Sequence, residues 1–272
     1  MFTKKELTKI ISFCANKKSY WHLTNERTEL TSIEYSLISE SLKKIMSGFP
    51  LNYLIGQKEF YSRNYKVSQD VLIPRDETEI LVEKAIEEIE KKNCCHKSVS
   101  VLELGTGSGV IAISLVLECI KRNIKINVTA TEICEKALKI AKINAKTYQV
   151  EIRFLLGNWW NALRNNRSKF DIVVTNPPYV GKKDPEYMSK ELYFEPNLAL
   201  YGTKHSPNGD QSIKEILSKI KKRLNKNGVI LLEHGSNQRD LIINLAKKEK
   251  LEFAESINDL SGLPRILKFS YH

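Results

Sequence analysis

Apolar positions fall into two rhythms along this chain. Near the N-terminus, Leu7, Ile10, Ile11 and Cys14 recur at the spacing of one helical face, behind Thr3 and Glu6 at capping-box distance. Thr31 and Glu34 repeat that signature ahead of Ile38, Leu42 and Ile45. The pattern predicts a small N-terminal helical domain over residues 1–52. Between Tyr53 and Ile73 short alternating segments rich in aromatics and valine, punctuated by Gly56 and Asp70, predict a hairpin connector over 53–75. Asp76 and Glu79 then mark a helix start, with Leu81, Val82, Ala85, Ile86 and Ile89 as its apolar face.

From about residue 98 the rhythm changes. Short apolar runs at 99–104, 126–131, 152–156, 172–175 and 229–233 read as strands. Helical patterns separate most of them, one carried by Ile213, Ile216, Leu217, Ile220 and Leu224. Alternating strands and helices imply a parallel sheet covered on both faces. Two further runs, 251–257 and 265–271, lie too close together for a crossover helix and predict an antiparallel hairpin. The fold class is therefore α/β: a seven-stranded, mostly parallel, doubly wound sheet over 76–272, preceded by the helical unit and connector.

Composition narrows this picture modestly. An apolar fraction of 42% is ample for a core. Lys+Arg at 43 exceed Asp+Glu at 32, a net charge of +11 that would favour an acidic macromolecular partner. The lysines are scattered along helical patterns, so direct nucleic-acid binding is not expected. Five cysteines (Cys14, Cys94, Cys95, Cys119 and Cys134) form no C-x-x-C pair and read as reduced thiols. His22, His96, His205 and His272 are dispersed, so no metal site is expected. The N-terminus lacks an apolar signal segment, and the longest apolar stretch, around Val110 to Val116, is too short to span a bilayer. A soluble, cytoplasmic, monomeric protein is the expectation.

The most informative local feature is Asn176-Pro177-Pro178-Tyr179, directly after an apolar strand. Two prolines fix φ twice, restrict Asn176 to an extended shape and remove two N–H donors while leaving carbonyl acceptors. An amide oxygen, a free carbonyl and an aromatic face, rigidly held, suit a planar –NH2 group. Strand 99–104 runs into Gly105-Thr106-Gly107-Ser108-Gly109 and a helical run. That spacing supports a sharp turn and close ligand approach, but it is neither a dinucleotide fingerprint nor a P-loop. Glu132 ends the second strand, where an acid can accept from both ribose hydroxyls. Asn158 and Trp159 follow the third, as a polar edge and an aromatic surface for a base. Four strand ends thus supply one ligand crevice at the carboxyl edge of the sheet.

This ordered set resembles the amino-group branch of the class I S-adenosylmethionine-dependent methyltransferases. Further segments narrow the likeness to the release-factor glutamine methyltransferases: residues 50–56 with Glu59 and Phe60, 73–79, Phe194-Glu195-Pro196, residues 231–235, and Asp259-Leu260 with Gly262 and Arg265. The likeness runs from about residue 50 to the C-terminus. It implies that Gly105, Thr106, Gly107, Ser108 and Gly109 border the methionine and ribose of S-adenosylmethionine, that Glu132 holds the ribose, and that Asn158 and Trp159 line the adenine pocket. Asn176, Pro177, Pro178 and Tyr179 would hold the glutamine of a Gly-Gly-Gln motif in a peptide chain release factor, with Asn176, Pro177 and Tyr179 acting in catalysis and Asn176 also bordering the cofactor. The N-terminal helices would grip that protein substrate.

Two positions depart from the family pattern: Glu103 where Asp is usual, and Asn158 where Asp is common. The alternative substrates are a ribosomal-protein glutamine or an exocyclic adenine amine, and a non-catalytic binding module is a third reading. Arg75 and Thr78 read equally as helix entry or site residues. His234 reads as structural, Trp160 as core or cofactor-adjacent packing, and Glu195 as surface or substrate-facing.

Overall fold

The computed structural model describes residues 3–17, 29–94, 98–164, 167–181, 190–204 and 206–272. The expectations about His22, Cys95, His96 and His205 lie outside them. Both capping boxes form. The hydroxyls of Thr3 and Thr31 accept from Glu6 and Glu34 N–H at 3.2 Å and open helices α1 (Lys4–Cys14) and α2 (Ser32–Met46). A short helix α3 (Leu51–Ile55) stops at Gly56, whose φ of +74° turns the chain into an antiparallel hairpin of β1 (Gln57–Phe60) and β2 (Arg63–Lys66). The hairpin therefore occupies the middle of the segment in which it was expected.

Helix α4 (Thr78–Asn93) begins one residue later than the Asp76 signal suggests, without a side-chain cap. The acids bind the hairpin instead. Asp76 pairs with Lys58 at 2.6 Å, and Glu79 accepts from Tyr61 N–H at 2.6 Å.

The remaining elements build the main sheet. In chain order they are β3 (Val99–Leu104), α5 (Val110–Lys121), β4 (Ile126–Glu132), α6 (Glu135–Thr147), β5 (Arg153–Leu156) and β6 (Phe170–Thr175). Then follow α7 (Asn197–Tyr201), α8 (Gln211–Leu217), β7 (Leu224–Glu233), α9 (Arg239–Lys248), β8 (Glu252–Asn258) and β9 (Pro264–Tyr271). Strand order is β5-β4-β3-β6-β7-β9-β8, parallel from β5 to β7 and antiparallel on both sides of β9. The chain winds outward one way from β3 and the other way from β6, which opens a crevice at their carboxyl ends. Leu104 stands level with Thr131 on one side and Thr175 on the other.

Successive residues of the central strands bury opposite faces. Val101, Ile172, Val174, Val229 and Leu231 pack with Leu81 and Val82 of α4 and Ile111 and Leu115 of α5. Leu102, Leu104, Val173, Ile230 and Leu232 pack with Ile213, Ile216 and Ile242 on the other side. One helical pattern overreaches. It runs to Leu224, yet α8 ends at Leu217, a single tight turn spans Ile220–Lys222, and Leu224 opens β7 opposite Phe170. Asn225 Nδ2 donates to Asp171 Oδ1 at 2.7 Å, which ties this segment to β6 in extended form.

Candidate active site

The carboxyl edge of β3 carries the glycine turn. Gly105, Gly107 and Gly109 have φ of +73°, +54° and +84°, a region that β-carbon sterics close to most residues. Gly105 and Thr106 N–H both donate to Thr131 O, at 3.0 and 2.9 Å, so the loop is tied to the end of β4. A β-carbon on Gly105 would come to 3.0 Å from the Trp159 ring, which places that indole against the loop. One on Gly109 would come to 3.1 Å from Ala141 Cβ, so this glycine serves the packing of α5 on α6.

Two carboxyls lie under the loop. Glu103 is fully buried, and its Oε2 accepts from Thr106 Oγ1 at 2.6 Å and Ala112 N at 3.1 Å. Its Oε1 has no protein partner, and burial pushes its pKa up to about 7. Glu132 spans two backbone donors, Gly107 N to Oε2 and Cys134 N to Oε1, each at 2.9 Å. Burial raises its pKa as well, and these hydrogen bonds oppose the rise.

A cavity of about 1030 Å³, mouth included, opens at this edge. Gly105, Thr106, Gly107, Ser108, Glu132, Asn158, Trp159, Asn176 and Pro178 all line it. Glu103, Arg75 and Thr78 line it too. Gly109, Pro177 and Tyr179 are not among its lining residues. Trp160 is core: it is buried, and its indole N–H donates to Ile216 O at 3.0 Å.

At the end of β6, Asn176 Nδ2 donates to Thr78 Oγ1 at 3.1 Å. That bond turns the amide so that Oδ1 is its open acceptor edge. The Tyr179 hydroxyl donates towards Glu233 Oε1 at 3.4 Å. Its carbonyl accepts from Gln238 Nε2 at 2.8 Å, and the same Nε2 reaches Asn208 O at 2.6 Å. Gly209 lies so close that an added β-carbon would meet Tyr179 O at 1.9 Å. Thr78, Gln238 and Gly209 support the Asn-Pro-Pro-Tyr turn. Only the helix-entry position of Thr78 hinted at any of them.

The mouth joins two segments distant in sequence. Glu195, 5% exposed, accepts from Ile73 N at 3.1 Å and pairs with Arg75 at 2.5 Å. It faces inward rather than out to solvent. Glu195→Ala would strand both donors. Breaking a buried pair costs about 3–5 kcal/mol. With Arg75 itself one-third exposed (34%), we expect about 2 kcal/mol, read by denaturant unfolding as a lower midpoint at unchanged slope.

Beside the turn, Glu233 and His234 are fully buried. His234 Nδ1 lies 2.7 Å from Gly235 O, its Nε2 has no partner, and burial lowers its pKa, so it is a neutral structural residue. Asp259 accepts from Ser261 and Leu263 N–H and pairs with Arg265 at 3.1 Å, closing the β8–β9 turn. Burial pushes Glu233 up to about 7, above its ordinary value of 4.5. Between those two values the folded protein keeps a proton that the unfolded chain releases, so stability falls as pH rises through the window. Glu233→Gln should therefore raise the melting temperature at pH ~8, by a stabilisation on the order of 3 kcal/mol, and leave it unchanged at pH ~4. Equal shifts at both pH values would contradict a proton held there.

Among the described residues, no group of three or more His, Cys, Asp or Glu is placed to hold a metal ion, and no helix is long and apolar enough to cross a membrane. A methyltransferase domain family matches residues 95–264. The release factor glutamine methyltransferase of Pasteurella multocida (strain Pm70) is 34% identical over 251 residues, covering 90% of this chain and 83% of that protein. That of Coxiella burnetii (strain RSA 493 / Nine Mile phase I) is 36% identical over 256 residues, covering 93% and 87%. Among solved structures, a methyltransferase from Pyrococcus furiosus superposes with a TM-score of 0.51 at 15% identity, covering 85% of this chain and 98% of that one. The 16S rRNA N2 G1207 methyltransferase of T. thermophilus, in complex with AdoMet and guanosine, gives 0.53 at 14%, covering 79% and 50%. At those identities the two structures share the fold with this chain.

Proposed function

The chain belongs to the release factor glutamine methyltransferase family, and from that premise we propose that it moves a methyl group from S-adenosylmethionine to the side-chain amide nitrogen of the glutamine in the Gly-Gly-Gln motif of peptide chain release factors. The observation that carries this reading is the Asn176 amide, anchored through Nδ2 and open at Oδ1, on the wall of a cavity that begins at a glycine turn.

The cavity suits that cofactor. Space above Gly107 is open, with nothing within 4 Å of where a β-carbon would lie, and the Glu103 Oε1 below lacks a donor that an ammonium group could supply. Glu132 would accept from the ribose hydroxyls, and Asn158 and Trp159 would meet the adenine. When bound, the cofactor supplies an electrophilic sulfonium methyl.

The protein's task is to present a weak nucleophile. A carboxamide nitrogen shares its lone pair with the carbonyl, so its π-density must be aimed. Asn176 Oδ1 and the Pro177 carbonyl would accept its two N–H bonds, and their fixed dipoles would stabilise the positive charge developing on nitrogen. Alignment is the larger effect, about 7–11 kcal/mol in well-oriented cases. No base is needed before methyl transfer, because the proton can leave afterwards. In the same reading the helices of residues 1–52 grip the release factor, 53–75 connects, and 76–272 carries out transfer in a cytoplasmic monomer.

The test is transfer of labelled methyl from S-adenosylmethionine to a purified release factor, beside its Gly-Gly-Ala variant and duplex DNA. Label on the wild-type factor alone is expected. Label on DNA, or equal label on the Gly-Gly-Ala factor, would overturn the reading.

A further inference from the structure

Asn176 has two edges of opposite character, and something must choose between them. An amide presenting Oδ1 to the cavity accepts from an –NH2 group. Flipped by 180°, it would present its own –NH2, donor against donor. Thr78 makes the choice. This residue opens α4, is 3% exposed, and lies 98 positions from Asn176 in sequence.

Its Oγ1 accepts from Asn176 Nδ2 at 3.1 Å. A hydroxyl has one proton to donate and two lone pairs to accept with. In the observed arrangement the hydroxyl offers a lone pair to Asn176 Nδ2, which leaves Oδ1 as the open edge of the amide.

We propose that Thr78 is a positioning residue for methyl transfer: it holds the Asn176 amide with Oδ1 towards the substrate, and so selects an amide –NH2 over a carboxylate at that place. This rests on the reading that Asn176 Oδ1 accepts from the substrate. The choice of edge affects turnover more than affinity, because the aimed dipole matters most when charge develops on nitrogen.

The full-length protein, its Thr78→Val, Thr78→Ser and Asn176→Ala variants, and the Thr78→Val/Asn176→Ala double variant would be compared for kcat and KM on a release factor. Calorimetry would give the Kd for S-adenosylmethionine. Valine keeps the shape of threonine and loses the hydroxyl, while serine keeps the hydroxyl. The expected result is a fall of about tenfold or more in kcat for Thr78→Val, with KM and cofactor Kd within about twofold of the parent. Thr78→Ser should recover most of the loss, and the double variant should be no slower than Asn176→Ala.

Unchanged kcat in Thr78→Val would overturn the proposal. So would a loss of cofactor affinity matching the loss of rate, or multiplicative effects in the double variant. An Asn176→Ala enzyme as active as the parent would instead reject the underlying reading of Asn176, and the Thr78 proposal with it. Loss in Asn176→Ala without loss in Thr78→Val rejects only the present inference.

Discussion

Asn176→Ala is expected to lower kcat by about 10²–10³-fold while S-adenosylmethionine still binds within a few-fold of the parent affinity. Removing one preorganised hydrogen-bonding group aimed at developing charge typically costs about 2.7–4 kcal/mol of transition-state stabilisation. Asn176 fits that description because its surroundings, not its own rotamers, fix it. Strand β6 delivers it at the carboxyl edge, two prolines restrict the backbone that follows, and Thr78 holds Nδ2. Alanine leaves β6 and the glycine turn untouched, and the residues assigned to ribose and adenine lie at or just beyond the ends of other strands. The loss should therefore fall on kcat rather than on cofactor affinity. Steady-state kinetics with calorimetry on the same preparation checks it, and full activity in the variant would refute the assignment.

How much of this was legible in the sequence depended on how local the determining physics is. The central strands could be read from continuous apolar runs, since a parallel strand covered on both faces has no polar face to interrupt it. Leu224 was misleading because it stands four residues after Ile220, a spacing that suits a helix, while its actual partner, Phe170, is distant in sequence. Asn176 stood out because Pro177 and Pro178 act on the adjacent backbone alone. What positions Asn176 did not stand out, because Thr78 is 98 residues away, just as Arg75 and Glu195 are 120 apart. Tyr179 is set in the same long-range way, its hydroxyl towards Glu233 and its carbonyl held by Gln238, 59 residues on. Residue type advertises chemistry, and long-range pairing decides where that chemistry points.

Glu132→Gln should give the opposite kinetic signature, although both residues line the same cavity. Each carboxylate oxygen of Glu132 already accepts from a backbone N–H, one from Gly107 and one from Cys134. Glutamine keeps one acceptor and replaces the other with –NH2, so one of those N–H groups must face a donor. An unsatisfied buried donor costs about 1–3 kcal/mol, and a hydrogen bond to a charged group contributes about 1.5–3 kcal/mol. The first cost falls on the glycine turn in the free protein and should lower the melting temperature by several degrees. The second falls on the ribose contact and should weaken S-adenosylmethionine binding by about 10–10²-fold. Unlike Asn176, Glu132 has no contact assigned to the reacting nitrogen. Saturating cofactor should therefore restore kcat to within a few-fold of the parent, and KM for S-adenosylmethionine should carry the defect. A variant that binds the cofactor normally would remove Glu132 from the ribose site, and one that stays slow at saturation would place it nearer the chemistry than the sheet edge suggests.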